Sequence, residues 1–437
     1  MRPTIVLFTR DLRTHDHPAL AAAEERGGGV VPLFVLDPTV LTRSARNRIA
    51  YLREALADLR DGLRAVGADL VVRSGDTVAE TVRVARAVEA ERVHLSADVS
   101  AFAADRARRL RAAGARERFA VAEFPGVTVV PPGGLVPATG DHYKVFTPYW
   151  RAWEARPWRR AERPPRRLGP LPEGLDAGAL PGEECVERGT GRLSPRRIRG
   201  GEGAARERMR RWLRGGCSGY GEDHDDLAAD ATSRLSADLR FGCLSPLELA
   251  RAARERGGCD PFVRQLAWRD FHHQVCAAFP LLARRDYRPR DTRWRDDDAA
   301  FAAWCEGRTG VPVVDAGMRQ LLEEGFMHNR ARLITAAFLT RELRVHWRRG
   351  GDHFHALLTD GDIADNYGNW QWVAGTGNDT RPNRSFNVLR QSRRFDPRGD
   401  YIRRYVAELA DVPAPRIHAP WESARPASGY PEPLFDV

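Results

Sequence analysis

The first 124 residues alternate short apolar runs with segments of helical periodicity, and this alternation limits the fold more than any other feature of the chain. The apolar runs predict buried strands at 5–8, 30–36, 70–72, 93–95 and 119–121, and the segments between them predict helices at 41–66, 77–88 and 101–113. Such alternation is typical of a parallel sheet with helices on both faces. The sequence therefore predicts an α/β domain with a Rossmann-like parallel sheet at residues 1–128.

The turn after the first strand lacks the glycine pattern that cradles a dinucleotide. Residues 9–18 read Thr-Arg-Asp-Leu-Arg-Thr-His-Asp-His-Pro, and the glycines at 27–29 follow a helix rather than a strand. We therefore expect that this domain does not bind a dinucleotide in the usual way.

The rest of the chain divides into a stretch rich in Pro, Gly and Arg and a longer helical part. Periodicity fades over residues 129–202, which predicts a long interdomain linker with 143–150 as a short ordered anchor. From 203 to 437 the pattern is helical, which predicts a larger all-α domain. Eight tryptophans lie in this part and none lies before residue 124.

Composition favours an intracellular protein that meets a polyanion. There is no apolar run of about 18 residues and no signal peptide, so we expect a cytoplasmic protein without a membrane partner. The six cysteines form no C-x-x-C pair and the twelve histidines no H-E-x-x-H motif, which predicts free thiols and no metal site. The net charge of +10 fits a partner such as nucleic acid.

Residues 360–372 concentrate polar and aromatic side chains. They read Asp-Gly-Asp-Ile-Ala-Asp-Asn-Tyr-Gly-Asn-Trp-Gln-Trp, with three carboxylates, three amides and two indoles. A buried polar group without a partner costs about 1–3 kcal/mol, so this composition fits a cavity for a large polar aromatic ligand. The alternative is a polar helix end with two packing tryptophans.

The segment from Gly325 predicts a helix whose first two turns carry Asn329, Arg330 and Arg332. Arginine at a helix start opposes the helix dipole, so these side chains need anionic partners. Arg332 with Asp360 is the predicted ion pair.

Three segments together resemble the flavin-domain signature of the photolyase/cryptochrome family. They are Met-His-Asn-Arg-x-Arg from 327, Asp-Gly-Asp-x-Ala-x-Asn-x-Gly-x-Trp-Gln-Trp from 360, and Phe-Asp-Pro-x-Gly-x-Tyr-Ile-Arg-Arg from 395. The resemblance implies FAD as cofactor, UV-damaged DNA as partner, and light-dependent repair of cyclobutane pyrimidine dimers by electron transfer from excited reduced FAD. The alternatives are a cryptochrome-like blue-light photoreceptor without repair activity and a flavin-binding remnant with a degraded lesion pocket.

The resemblance also assigns roles to residues around the flavin. Asn366 would tune the flavin ring, with Arg332, Asp360 and Asp362 beside it. The other residues that match FAD contacts are Tyr220, Thr232, Ser233, Arg234, Leu235, Ser236, Arg269 and Asn329. Taken without the resemblance, 232–236 fits an ordinary N-cap better than an anion site.

Three tryptophans match the family's electron relay to the flavin, namely Trp370, Trp347 and Trp294. Their alternative role is packing in the core.

The lesion pocket is expected between Trp268 and Trp372, whose rings would stack on the flipped dimer. Further matches to substrate contacts are Gln265, Asn329, Leu333, Arg330 and Arg384. Gln265 stands where dimer photolyases commonly have Glu, and Gln supplies neither charge nor a proton. Leu333 replaces a frequent Met. Asn329 and Arg330 occupy the place of a His pair, which argues against (6-4) repair.

Residues 10–13 and 15–18 resemble the opening of the family's α/β domain, which can hold a second chromophore. Methenyltetrahydrofolate and 8-hydroxy-5-deazaflavin are both compatible with the sequence, as is a scaffold domain with an empty antenna site. We expect a monomer.

Overall fold

The N-terminal part of the chain is a five-stranded parallel sheet, in a computed structural model that describes residues 2–378, 386–422 and 429–434. The strands are β1 Thr4–Phe8, β2 Val30–Leu36, β3 Val71–Ser74, β4 Arg92–Ser96 and β5 Ala120–Phe124. Their order is β3-β2-β1-β4-β5, and every neighbouring pair is parallel. The predicted α/β domain is confirmed.

The helices around the sheet are α1 Pro18–Glu25, α2 Pro38–Leu41, α3 Arg46–Ala65, α4 Thr77–Ala87 and α5 Ala101–Glu117. The prediction of one helix over 41–66 is wrong at its start. Asp37 accepts a hydrogen bond from Thr39 N at 2.9 Å and begins the separate helix α2. The chain then leaves helical geometry before α3, where Arg46 N donates to the Thr190 carbonyl at 2.9 Å.

Alternate residues of β1 pack into two different hydrophobic cores. Ile5 and Leu7 pack with the apolar residues of α4 and α5, whereas Val6 and Phe8 belong to a larger cluster that continues into the helical domain. Successive strand side chains point to opposite faces of a sheet, so one face of the sheet is covered by its own helices and the other is joined to the rest of the molecule.

The remaining described elements are helical, which confirms the predicted all-α character of this part. They are α6 Phe146–Ala155, α7 Glu202–Gly215, α8 Tyr220–Asp223, α9 Ser236–Phe241, α10 Pro246–Arg256, α11 Asp260–Ala278, α12 Asp298–Glu306, α13 Pro312–Glu324, α14 Asn329–Ala337, α15 Trp347–Leu357, α16 Ile363–Ala374, α17 Val388–Phe395, α18 Asp400–Tyr405 and α19 Ala414–Ile417. Short 3₁₀ segments lie at Glu183–Arg188, Ala407–Leu409 and Pro420–Glu422, and a π-helical turn at Phe338–Glu342 follows α14. The boundaries at 128 and 202 stay predictions.

Helix α6 lies inside the predicted linker and packs on α11. The Phe146 ring stacks on Trp268 with centroids 3.6 Å apart, and Trp153 Nε1 donates to Asp270 at 2.8 Å. The linker is therefore anchored where 143–150 was expected to be ordered.

Two cysteines contradict the prediction of six free thiols. Cys217, which follows α7, forms a disulfide with Cys259, which precedes α11, with Cα atoms 5.3 Å apart. The two are 42 residues apart in the chain and match no spacing motif, so only the packing of the two helix ends brings them together. The other four cysteines are free. No helix among the described residues has the length and apolar character needed to cross a bilayer.

Candidate active site

A cavity of about 420 Å³ lies in the helical domain. Its walls come from α8, α9, α11, α14, α15, α16 and the loop before α16. The predicted site residues that line it are Tyr220, Ser233, Ser236, Gln265, Trp268, Arg269, Asn329, Arg332, Leu333, Asp360, Asp362, Asn366, Trp370 and Trp372. The fold therefore brings together most of the predicted site residues, which are spread over more than 150 positions of the sequence.

Two glycines allow the helices around the cavity to approach each other. A side chain at Gly368 of α16 would meet His272 Nδ1 of α11 at 2.5 Å, and one at Gly350 of α15 would collide with the indole of Trp370. Both helix pairs therefore depend on the absence of a Cβ atom at these two positions.

The floor of the cavity, which we define as Arg332, Asp360, Asp362, Asn366 and Trp370, is polar and largely buried. Both terminal nitrogens of Arg332 donate hydrogen bonds to the Asp360 carboxylate, at 2.7 and 3.2 Å, which confirms the predicted ion pair. Asn366 Nδ2 donates to the Gly351 carbonyl at 2.9 Å, so its amide is held in one orientation.

Asp362 connects the floor to the start of α16. One carboxylate oxygen accepts from Ala364 N at 2.8 Å and Asp365 N at 3.1 Å, and the other is paired with Arg10 of the α/β domain. Burial disfavours the charge on Asp362, but Arg10, His273, Arg269 and Arg240 together outweigh burial and hold the pKa of Asp362 well below its usual range, with Arg10 the largest of the four.

Asp365 is a cavity residue that the sequence reasoning missed. Burial and the neighbouring Asp362 carboxylate raise the pKa of Asp365 well above its usual range. The pKa values of two neighbouring carboxyl groups are therefore shifted in opposite directions. The sequence did offer a signal for this residue, because Asp365 is the third carboxylate of the polar segment 360–372.

Asp362, Asp365 and His273 also bring three donor atoms within 4.8 Å of one another. The pairing of Asp362 with Arg10 accounts for this cluster without an ion. The absence of a metal stays a prediction.

Two arginines give the cavity the cationic character that a dinucleotide phosphate requires. Arg240, also missed from the sequence, donates to the Gly361 carbonyl at 3.1 Å, and Arg269 donates to the Val127 carbonyl at 2.6 Å. Burial and the nearby Arg10 guanidinium lower the pKa of Arg240 to about 10, which means that its charge is incompletely compensated. An anionic group beside it would be stabilised.

The segment 232–236 contributes part of its length to the cavity. Ser236 Oγ donates to Asp360 at 2.5 Å, and Thr232 Oγ1 is buried without a hydrogen-bond partner among the described residues. Arg234 instead pairs with Asp230 at 2.8 Å and Glu324 at 2.7 Å. Leu235 is buried in the core. Hydroxyls and cations in the lining of a cavity with a polar floor fit FAD.

The mouth of the cavity, which we define as Gln265, Trp268, Asn329, Leu333 and Trp372, is more open. Gln265 and Asn329 are exposed, and the two indoles and Leu333 are half-buried. The stack of Trp268 on Phe146 fixes one aromatic wall. The mouth therefore presents ring faces and uncharged polar groups toward solvent.

One predicted DNA contact, Arg330, lies outside the cavity lining. Arg330 pairs with Asp225 at 2.6 Å and lies over the Phe395 ring at 4.3 Å. Arg384 lies outside the described residues. Neither predicted role is tested by these positions.

Of the three tryptophans predicted to form the relay, two are buried and one is half-buried. Trp370 is 3% exposed and Trp347 is fully buried, with its Nε1 donating to Asp286 at 2.8 Å. The His346 ring lies 5.6 Å from Trp347 and 5.1 Å from Trp294, which is half-buried. Trp304, missed from the sequence, contacts Trp370 with centroids 6.0 Å apart.

A second, smaller cavity of about 90 Å³ lies at the carboxyl ends of β1 and β2. Its lining includes Phe8, Phe34, Phe102 and Arg106. Arg106 is 8% exposed, and its Nε has no hydrogen-bond partner in the described part of the chain. Open α/β sheets bind ligands at this edge.

Comparisons with known proteins agree with this architecture. The family described as DNA photolyase matches residues 4–168, and the FAD binding domain of DNA photolyase matches residues 262–437. The chain is 50% identical to deoxyribodipyrimidine photo-lyase of Streptomyces griseus over 446 residues, with 100% of this chain and 97% of the relative covered.

Two solved structures superpose on nearly the whole chain. A bacterial class III photolyase from Agrobacterium tumefaciens has a TM-score of 0.92 at 32% identity, with 100% of this chain and 95% of that chain covered. A Synechocystis cryptochrome has a TM-score of 0.92 at 28% identity, with coverages of 100% and 97%.

The fold and the cavity thus define a flavoprotein built like photolyases and cryptochromes. The chain belongs to the DNA photolyase family, and its cofactor is FAD.

Proposed function

We propose that the protein repairs cyclobutane pyrimidine dimers in UV-damaged DNA in a light-dependent reaction. The observation that carries this proposal is the division of the cavity into a buried polar floor and an open aromatic mouth. When bound and reduced, FAD supplies the light-excited electron that splits the dimer and receives it back. The residues of the chain then have to hold the cofactor, orient the dimer and shield both from water.

Floor residues hold the cofactor end of the site. Arg332 and Asp360 form a bidentate pair that leaves neither charge uncompensated, and Asn366 keeps a fixed amide in the lining. Because these hydrogen bonds exist before a ligand enters, little reorganisation is needed on binding. Arg240 and Arg269 would meet the phosphates.

Mouth residues would hold the extruded dimer. Trp268 and Trp372 offer stacking surfaces, each worth about 1–3 kcal/mol per base. Gln265 and Asn329 offer neutral hydrogen-bonding groups at the rim. Arg330, near the mouth, is already paired with Asp225, so a phosphate contact would require it to exchange that partner.

The tryptophans leading from Trp370 through Trp347 to Trp294 would serve a separate purpose, the supply of electrons to oxidised enzyme. Trp370 and Trp347 are buried and Trp294 is half-buried, so Trp294 is the member of the three that solvent reaches most readily. Indole is oxidised more readily than other apolar side chains, which suits it to the task.

The test is repair of a thymine-dimer oligonucleotide by purified reduced protein, in blue light and in darkness. We expect dimer loss in light alone. A flavin-loaded protein that leaves the dimer intact in light contradicts the proposal.

A blue-light receptor without repair activity is the second candidate, and Gln265 is the observation that favours it. A neutral amide replaces a carboxylate at the rim, and the Synechocystis cryptochrome has the same fold. Ordinary flavin photoreduction with no dimer loss, unchanged in Gln265→Glu, would support the receptor.

The cavity beside Arg106 is where we propose a second chromophore, a methenyltetrahydrofolate or an 8-hydroxy-5-deazaflavin. Aromatic side chains and a buried guanidinium suit a flat ligand with an anionic group. The absorption spectrum of protein from its native host distinguishes the two, and a spectrum of FAD alone contradicts the proposal. We also propose a monomer, which light scattering tests.

A further inference from the structure

The segment after β1 joins the sheet to the helical domain beside the cavity. Leu12 N donates to the Phe241 carbonyl at 3.1 Å, and Arg13 donates to the Gly242 carbonyl at 3.0 Å. Gly242 has a φ of 65°, and a side chain there would collide with the backbone of Arg10. Glycine therefore permits this close approach.

Arg10 extends this contact into the cavity floor. Its side chain is 11% exposed and pairs with Asp98, at 3.2 Å, and with Asp362. Asp98 follows β4 of the sheet, whereas Asp362 caps α16 by accepting from two backbone amides of its first turn. One arginine of the α/β domain is thus bonded to the residue that caps α16, the helix that carries Asn366 and Trp370 of the cavity floor.

We propose that Arg10 is a positioning residue for the flavin site, which holds the Asp362 carboxylate charged and in place and so fixes α16 against the cavity. This inference deepens the proposed function, and it rests on that function only in taking FAD as the ligand of the cavity. Removal of one partner from a buried pair leaves the other charge uncompensated. Removal of Arg10 should therefore weaken FAD binding as well as the contact between the domains.

Several other charged or titratable groups face Asp362 and set its response to pH. They are Asp98 after β4, Arg240 on α9, Arg269, His272, His273 and Cys276 on α11, His355 on α15 and Asp365 on α16. With Arg10 present, the pKa of Asp362 stays well below its usual range, so its charge is constant near neutral pH. Without Arg10, the largest contribution that opposes burial is lost, so that pKa rises and protonation of Asp362 relieves part of the loss as pH falls.

The measurement is the FAD affinity of apoprotein, by fluorescence titration at about pH 8 and about pH 5.5. Arg10→Gln should bind FAD roughly tenfold or more weakly at the higher pH and recover part of the loss at the lower pH. Arg10→Lys, which keeps the charge, should lose less. Arg10→Gln with wild-type affinity at both pH values overturns the proposal.

Arg159→Gln is the matched control. Arg159 pairs with Asp16 of the same segment at 2.9 Å, and Asp16 is 1% exposed, but neither residue lines the cavity. This variant should lower thermal stability and leave FAD affinity unchanged. An equal loss of FAD in Arg159→Gln would show that loss of any buried ion pair of this segment has the same effect, which contradicts a specific role for Arg10.

If Arg10→Gln does not fold, a double-mutant cycle still decides. Arg10→Lys should weaken FAD binding several-fold in the wild-type background but not beside Asp362→Asn. Equal weakening in both backgrounds overturns the proposal. Because DNA repair is not a readout, a failure of the proposed function leaves these results interpretable.

Discussion

The floor and the mouth of the cavity are built in opposite ways. Floor carboxylates are buried and paired with arginines, as with Asp360 and Asp362. The mouth has no charged member, and its amides at Gln265 and Asn329 are exposed. Fixed, buried charges suit a cofactor that stays bound, whereas accessible aromatic rings and uncharged amides suit a substrate that binds from solution. Substitutions at the floor should therefore affect cofactor and stability, and substitutions at the mouth should affect repair.

The largest effect is expected from Arg332→Ala. Asp360 is 5% exposed at its side chain, and loss of its bidentate partner should cost about 3 kcal/mol in the free energy of unfolding, together with most of the bound FAD. Denaturant unfolding and flavin absorbance measure the two effects.

Arg330→Ala is the control on the same helix. Its pair with Asp225 is more exposed on the carboxylate side, so the cost should be roughly 0–1 kcal/mol with FAD retained. Equal losses in the two variants would remove the distinction between a floor pair and a surface pair.

Trp347→Phe should abolish photoreduction of bound FAD, because it removes the middle member of the predicted relay. Trp304→Phe is matched to it, since Trp304 is equally buried and contacts Trp370, yet it lies off the route to Trp294. Steady illumination with an electron donor, followed by absorbance, measures both. Photoreduction that stops in Trp304→Phe and continues in Trp347→Phe would assign the route to the other branch.

Gln265→Glu tests the mouth. A hydrogen bond to a charged group is about 1 kcal/mol stronger than a neutral one, so kcat/KM for dimer repair should rise roughly fivefold and FAD content should not change. Gln265→Ala should lower repair. A series in which Ala, Gln and Glu repair equally well would mean that this side chain does not touch the dimer.

The smallest effect concerns pH. Burial lowers the pKa of His272, at the cavity wall, to about 4 from an ordinary 6.5. A depressed histidine pKa contributes stability above pH 6.5 that is lost as pH falls toward 4. The melting temperature should decline over this range, and less steeply in His272→Phe. Since burial also lowers the pKa of His328 to about 4, the decline should persist in part. An identical slope would exclude His272 as a contributor.

Local signals in the sequence were sufficient for the parallel sheet and for the Arg332–Asp360 pair. Strand and helix periods are properties of neighbouring residues, and an arginine at a helix start requires an anion nearby. The partners of Arg10 and Arg234 could not be read in this way, because Asp362 and Glu324 are 352 and 90 residues away. The Cys217–Cys259 bond was missed for a similar reason, since packing of residues 42 positions apart decides it. The short helix α2 was missed although its Asp37 cap and Pro38 are local signals.

The comparison between floor and mouth is tested most directly by Trp372→Ala, in which FAD content and affinity for a dimer-containing oligonucleotide are measured on one preparation. The account predicts full FAD content and dimer affinity lower by roughly 5- to 150-fold, from a loss of about 1–3 kcal/mol. Affinity for undamaged DNA should stay the same. Loss of FAD, or unchanged affinity for the dimer, would contradict the assignment of floor and mouth to cofactor and substrate.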